Sequence, residues 1–358
     1  MTSLSDLPLR ESLRGREPYG APQLSVPVAL NVNENTHELP EDVIKDIVKR
    51  VGAVAHGINR YPDREFEGLR KALANYLGHN LDTNQIWAAN GSNEVLQQIF
   101  QAFGGPGRLA LGFGPTYSMY SLIALGADTQ YVDADRDERY ELTPDLIRSA
   151  IAEHKPNIVM LCSPNNPTGT PLSLECIEAA YDATDGIVVV DEAYAEFANE
   201  SQTAISLLPG RPRLLISRTM SKAFAFAGAR VGYLAADPAV VDAMRLVRLP
   251  YHLSAFTQAA AEAALDHADA LLATVADIRV QRDRIVDELR TMGFDPYRSD
   301  SNFVLFGGVS DPARTFTELL ARGVLVRNVG IPNTLRVTAG TEAETSAFLK
   351  ALAELQAN

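Results

Sequence analysis

Cysteine is scarce: only Cys162 and Cys176 occur in 358 residues. Two cysteines cannot build a disulfide framework, and neither has the C-x-x-C or cysteine-histidine spacing that holds zinc, so a reducing compartment is expected. Positive charge is also short. Thirty-two lysines and arginines face forty-five carboxylates, a net charge of −13. No basic surface is left to neutralise the phosphates of DNA or RNA, and nucleic acid is not an expected partner. The six histidines (37, 56, 79, 154, 252 and 267) show no ligand spacing, so no metal is expected. No glycine fingerprint of a dinucleotide site appears either. No apolar run approaches the ~18 residues of a membrane span. The start, Met1-Thr2-Ser3-Leu4-Ser5-Asp6, has neither a basic nor an apolar stretch, so a cytoplasmic protein without a membrane partner is expected.

What remains is an ordinary globular composition, 46% hydrophobic and 22% charged. The length exceeds a single domain of about 100–200 residues, and two units are expected. Residues 1–40 carry Pro18, Gly20, Pro22, Pro27 and Pro40 and read as an extended arm. From 41 onward, helical stretches alternate with short apolar runs. The runs at 158–162, 187–190 and 214–217 recur at just under thirty residues, with a helical pattern at 174–183 between the first two, as strand-helix-strand crossovers require. The fold class is therefore α/β, with a large, mostly parallel sheet. Beyond Pro250 come helical stretches at 254–265 and 268–292. Strand-like pieces at 302–306, 324–327 and 334–338 follow, then a helix from Glu342. These read as a smaller α+β unit. The expected division is a large domain at 41–250, with 1–40 and 251–358 forming the arm and the small domain.

Ligands of open α/β sheets bind beyond the carboxyl ends of the strands. The first run leads into Ser163-Pro164-Asn165-Asn166-Pro167-Thr168-Gly169, the second into Asp191-Glu192-Ala193-Tyr194, and the third into Arg218-Thr219-Met220-Ser221-Lys222. Singly, each is ordinary: a turn, a helix cap, a solvated loop. Jointly and in this order they supply what pyridoxal phosphate needs, namely an amine, an anion beside the ring nitrogen, donors to the ring oxygen and a phosphate site. Asp191 at ~3 Å from the ring nitrogen would attract its proton by ~5 kcal/mol at an effective dielectric of ~20, before desolvation. Lys222 would bond the aldehyde and later carry the substrate's proton. Upstream, the strand-like 86–89 leads through Asn90-Gly91-Ser92-Asn93-Glu94 to a helical stretch at 95–103. Its free backbone N–H groups, with Thr219, Ser221 and Arg230, make an anion site. Tyr117 could stack on the ring, or pack in the core.

With these residues in view, the chain resembles fold-type I, class II pyridoxal-phosphate aminotransferases, and more closely the histidinol-phosphate aminotransferase family. The likeness runs over roughly 4–355 and includes Pro18-Tyr19-Gly20, Asn33-Glu34-Asn35, Asn59-Arg60-Tyr61-Pro62-Asp63 and Leu335-Arg336-Val337-Thr338. The resemblance implies pyridoxal 5′-phosphate bound covalently to Lys222, with Asp191 on its ring nitrogen and Asn166 and Tyr194 on its ring oxygen. It implies a stacked Tyr117, and a phosphate held by Ser92, Asn93, Thr219, Ser221 and Arg230, joined by Tyr61 from the second subunit of a homodimer. Arg336 and Arg327 would take the substrate's anionic tail, with Tyr19, Asn93 and Tyr251 around its imidazole and Asn35 on the substrate-facing loop. The implied reaction turns histidinol phosphate and 2-oxoglutarate into imidazole-acetol phosphate and glutamate, a step of histidine biosynthesis. Thr36 departs from the family, which has proline there, and puts the path of that loop in question. An aromatic (phenylalanine) aminotransferase, a phosphothreonine decarboxylase and a cofactor-sensing regulator module are the competing readings.

Overall fold

The structure, a computed structural model, describes residues 3–18, 20–199 and 203–356. In chain order its strands and α-helices begin with β1 (Val28–Ala29), α1 (Glu41–Ala55), α2 (Glu67–Leu77), β2 (Ile86–Asn90) and α3 (Ser92–Phe103). Then follow β3 (Leu109–Gly114), α4 (Met119–Gly126), β4 (Gln130–Asp135), α5 (Pro144–His154), β5 (Ile158–Cys162), α6 (Leu174–Ala183), β6 (Ile187–Asp191), β7 (Leu214–Thr219) and β8 (Val231–Ala235). The remainder comprises α7 (Pro238–Val247), α8 (Ala255–Asp266), α9 (Ala268–Thr291), β9 (Asp295–Pro296), β10 (Phe303–Gly307), α10 (Pro312–Ala321), β11 (Val324–Leu325), β12 (Leu335–Thr338) and α11 (Glu342–Gln356). No helix of the described residues is long and apolar enough to cross a membrane.

Seven strands form one sheet in the order β2-β8-β7-β6-β5-β3-β4. β8 alone runs opposite to the other six strands. Strands β5, β7 and β8 are buried along their whole length, which is why they read as unbroken apolar runs rather than as alternation. Helix starts are local and legible. Thr143, Ser173, Ser254 and Asp311 each accept a backbone N–H of the first turn of α5, α6, α8 and α10, the ordinary role of such residues at a helix start. Pro144, Pro238 and Pro312 stand at first helical positions, where their missing N–H costs nothing.

A second, antiparallel sheet has the order β12-β10-β9, and Phe306 of β10 packs against Phe294 and Phe348 of α11. The arm enters as a strand: β1 pairs in parallel with β11, and Leu30 is bonded on one side to Leu325 and on the other to Thr338. Some expected bounds move. Helix α2 begins only at Glu67, because Asp63 accepts the N–H groups of Glu65 and Glu67 and Phe66 adopts a left-handed φ of 40°. Strand β11 stops at Leu325, and Arg327 meets Arg336 through an isolated antiparallel bridge.

Helix α3 begins at Ser92, three residues before the expected 95, since Gly91 turns into it with φ +83°, a conformation that side chains resist. Antiparallel β8 runs directly beneath this start. A Cβ on Gly232 would lie 2.1 Å from the Ser92 nitrogen, so only glycine lets the strand and the helix start touch. Gly232→Ala is expected to cost about 1–3 kcal/mol or more, measured as a lower thermal unfolding midpoint. An unchanged midpoint would contradict this contact.

Candidate active site

The ends of β2, β3, β5, β6 and β7 share one rim with the start of β8, and a cavity of about 530 Å³ opens there. That volume suits a cofactor together with a small substrate. Its floor is Asp191, the last residue of β6 and 3% exposed. Tyr120 donates to its Oδ2 at 2.8 Å. Its Oδ1 is buried and, among the described residues, has no hydrogen bond of ordinary geometry. Burial pushes the carboxyl pKa up to about 6, opposed by the Tyr120 hydroxyl and the Ala193 N–H. A buried anion with one bare oxygen calls for a cationic or protonated partner.

Lys222 follows the turn after β7, and its Nζ donates to the Val32 carbonyl at 3.0 Å. Burial lowers its pKa to about 8, assisted by Arg336 and Arg230 and opposed by Glu34. A lysine in that range has a reactive neutral fraction near neutrality. Tyr194 accepts from Asn33 Nδ2 at 3.0 Å, leaving its own proton to donate into the cavity. Burial raises its pKa, so the phenol keeps that proton. Asn166 Oδ1 receives Arg336 Nη1 at 2.5 Å, which turns the Asn166 amide N–H groups toward a ligand. Its neighbour Asn165 is fully buried and bonded to Thr116, Thr168 and the Pro115 carbonyl, so it braces the turn.

Ser92 and Asn93 occupy the first turn of α3 and line the cavity together with Thr219, Ser221 and Arg230. Thr219 donates to Ser221 Oγ at 3.0 Å, and Arg230 Nη1 approaches the same oxygen at 3.4 Å. A Cβ on Gly91 would meet the Arg230 guanidinium at 2.5 Å. Hydroxyls, helix-start N–H groups and a guanidinium thus surround one small space, a donor set for a phosphate dianion. Tyr117 lines the wall between cradle and floor and donates to Asn93 Oδ1 at 3.1 Å. On the far side, Arg327 and Arg336 oppose each other across their bridge, exchanging backbone hydrogen bonds of 2.9 Å. Directly paired residues point to one face, and both line the cavity.

Other expected site residues lie elsewhere. Asn35 is buried and bonded to the Ala223 carbonyl and Thr274, outside the cavity. Thr36 donates to Glu344 Oε2 at 2.6 Å, so a hydrogen bond to the cap of α11 holds the loop where the family uses proline. Tyr61 is 79% exposed and stacks on Tyr251 with ring centroids 4.4 Å apart, both away from the cavity of their own chain. Tyr19 lies outside the described residues. The sequence reading missed Asn33 and Tyr120. Asn33 sits in the quoted Asn33-Glu34-Asn35 segment, and its left-handed φ of 58° is a conformation asparagine favours. Tyr120 stands three residues after Tyr117, the spacing of one helical face.

The bare oxygen of Asp191, the Lys222 amine and the dianion cradle fit the three poles of pyridoxal phosphate: ring nitrogen, aldehyde and phosphate. Comparison with known proteins agrees. The family described as "Aminotransferase class I and II" matches residues 26–352. The chain is 64% identical to the histidinol-phosphate aminotransferase of Paenarthrobacter aurescens, covering 98% of this chain and 96% of that protein. It is 55% identical to that of Thermobifida fusca, with the same coverage. The histidinol-phosphate aminotransferase of Sinorhizobium meliloti, solved in complex with pyridoxal-5′-phosphate, superposes with a TM-score of 0.83 at 26% identity, over 92% of this chain and 91% of that one. The chain therefore belongs to the histidinol-phosphate aminotransferase family of class I and II aminotransferases, enzymes that work with pyridoxal 5′-phosphate.

Proposed function

We propose that this protein exchanges the amino group of histidinol phosphate with 2-oxoglutarate, forming imidazole-acetol phosphate and glutamate in histidine biosynthesis. The observation that carries the reading is the Arg327–Arg336 pair, two guanidinium groups aimed into one cavity of a chain with net charge −13. The global field repels an anionic substrate, so recognition has to be local, and paired guanidinium groups suit a phosphate. The names of its relatives point to the same substrate.

Bound in the cavity, the cofactor supplies an aldehyde carbon that bonds amines and a protonated ring that draws electrons from the neighbouring carbon. Asp191 Oδ1 holds the proton on the ring nitrogen. Tyr194 Oη and the Asn166 amide donate to the ring oxygen, while Ser92, Asn93, Thr219, Ser221 and Arg230 hold the phosphate. Tyr117 covers the ring. Lys222 Nζ, neutral for a large share of molecules near pH 8, would hold the aldehyde and would be the base within reach of the substrate proton.

The chain acts as a cytoplasmic homodimer in this reading, with 41–250 as the large unit and 1–40 with 251–358 as the second. Tyr61, Tyr251, Leu246 and Leu249 are exposed apolar residues, a surface suited to a second copy. Tyr61 crosses to the partner's phosphate cradle, and Tyr251 goes with it toward the substrate's imidazole. Tyr19 belongs with them at the substrate's imidazole end in this reading.

Two measurements test this. Arg327→Ala is expected to lower kcat/KM for histidinol phosphate by about 30-fold or more, as loss of a charged partner of a bound anion does, and to leave unphosphorylated histidinol nearly unchanged. Equal losses, or phenylalanine turned over as well as histidinol phosphate, would contradict the assignment. Mixing the inactive Lys222→Ala and Tyr61→Asp homodimers should restore activity, because one site of each heterodimer then carries both lesions and the other neither. Sedimentation of a fully active monomer, or mixtures that stay inactive, would refute the shared site.

A further inference from the structure

Tyr120 is fully buried in the first turn of α4, and it is not among the residues lining the cavity. Its ring lies edge-on to Tyr117 with centroids 5.5 Å apart, and its hydroxyl spends its proton on Asp191 Oδ2 at 2.8 Å. The carboxylate is thereby anchored through Oδ2. The other, Oδ1, is buried and has no hydrogen bond of ordinary geometry among the described residues. A carboxylate has two equivalent oxygens and a soft terminal torsion. Without the phenol, only the weaker pull of the Ala193 N–H would be left to decide which oxygen faces the ligand. A phenol suits this position because burial raises its pKa well above the ordinary value, so it stays a donor at every pH where the enzyme works.

We propose that Tyr120 is the positioning residue for Asp191, fixing Oδ2 so that Oδ1 meets the cofactor's ring nitrogen, and that it thereby sets the protein's preference for a ring carrying nitrogen there. This rests on the assignment of Asp191 to the ring nitrogen. Discrimination between ligands and mere packing separate cleanly. A phenol that only fills space contributes equally to any ligand of the same shape, whereas one that aims a carboxylate contributes only to a ligand with a ring proton to accept.

The test compares dissociation constants of the full-length chain, freed of cofactor, for pyridoxal phosphate and for its 1-deaza analogue, in which C–H replaces the ring nitrogen. Both carry the aldehyde and the phosphate, so Lys222 and the cradle contribute alike to both. The parent should prefer pyridoxal phosphate. Tyr120→Phe should lose roughly ten- to hundredfold of that preference, the worth of one hydrogen bond to a charged group, with the analogue's affinity unchanged. Equal weakening of both ligands, or an intact preference, overturns the proposal. Asp191→Asn separates the two assignments: if it keeps the full preference, the ring-nitrogen reading of Asp191 fails, and if it abolishes the preference while Tyr120→Phe does not, only the role of Tyr120 fails. Should Tyr120→Phe not fold, 3-fluorotyrosine at 120 preserves the packing and strengthens the donor. It should keep or increase the preference, and a decrease would overturn the proposal.

Discussion

A buried carboxylate that the protein satisfies on one side only is the constraint on which the site depends. Successive residues at the end of β6 show the contrast. Glu192 is saturated: its Oε2 receives Arg218 Nε at 3.0 Å, Arg218 Nη2 at 2.8 Å and Thr203 Oγ1 at 2.7 Å, and its Oε1 receives the Ala204 N–H at 2.6 Å. Asp191, one residue earlier, has Tyr120 on one oxygen and, among the described residues, no ordinary hydrogen bond on the other. Glu192 ties the ends of β6 and β7 together. Asp191 keeps an open valence, at a folding cost that its elevated pKa registers. A cofactor presenting a ring proton to that oxygen would offset the cost, so stability and chemistry would meet in one side chain.

Around this point the chain solves a second electrostatic problem. It is acidic overall, yet it has to hold a cofactor phosphate and an anionic substrate. Charge is concentrated locally: Arg230 with the start of α3 on one side, Arg327 and Arg336 on the other, and Lys222 between them. Burial, helped by Arg336 and Arg230, brings the Lys222 pKa down to about 8. One arrangement thus attracts anions and readies the amine.

Much of this was legible in the sequence, for identifiable reasons. Central strands buried on both faces appear as plain apolar runs, and the chemistry sits immediately after them, so Asn166, Asp191, Tyr194 and Lys222 could be named in order. Caps such as Ser173 and Asp311 announce their helices. The membership in the aminotransferase family agrees with the resemblance carried by those residues. What was not legible depends on direction rather than identity. Asn33 and Asn35 are alike in sequence. Only the left-handed turn at Asn33, with Thr338 against it, sends Asn33 to Tyr194 and Asn35 to the backbone beyond Lys222. Tyr120 reads as one more core aromatic until α4 and β6 are packed together. The start of α3 was placed late because Gly91, not a polar cap, makes that turn.

The most direct test of the account is the protonation state of the bound cofactor. With nitrogen-15 in the ring, the nuclear magnetic resonance shift of the holoenzyme reports whether that nitrogen carries a proton. A protonated ring is expected at mildly alkaline pH, where free pyridine nitrogens have lost theirs, with loss of that proton in Asp191→Ala. An unprotonated ring in the parent enzyme, or one indifferent to Asp191, would contradict it.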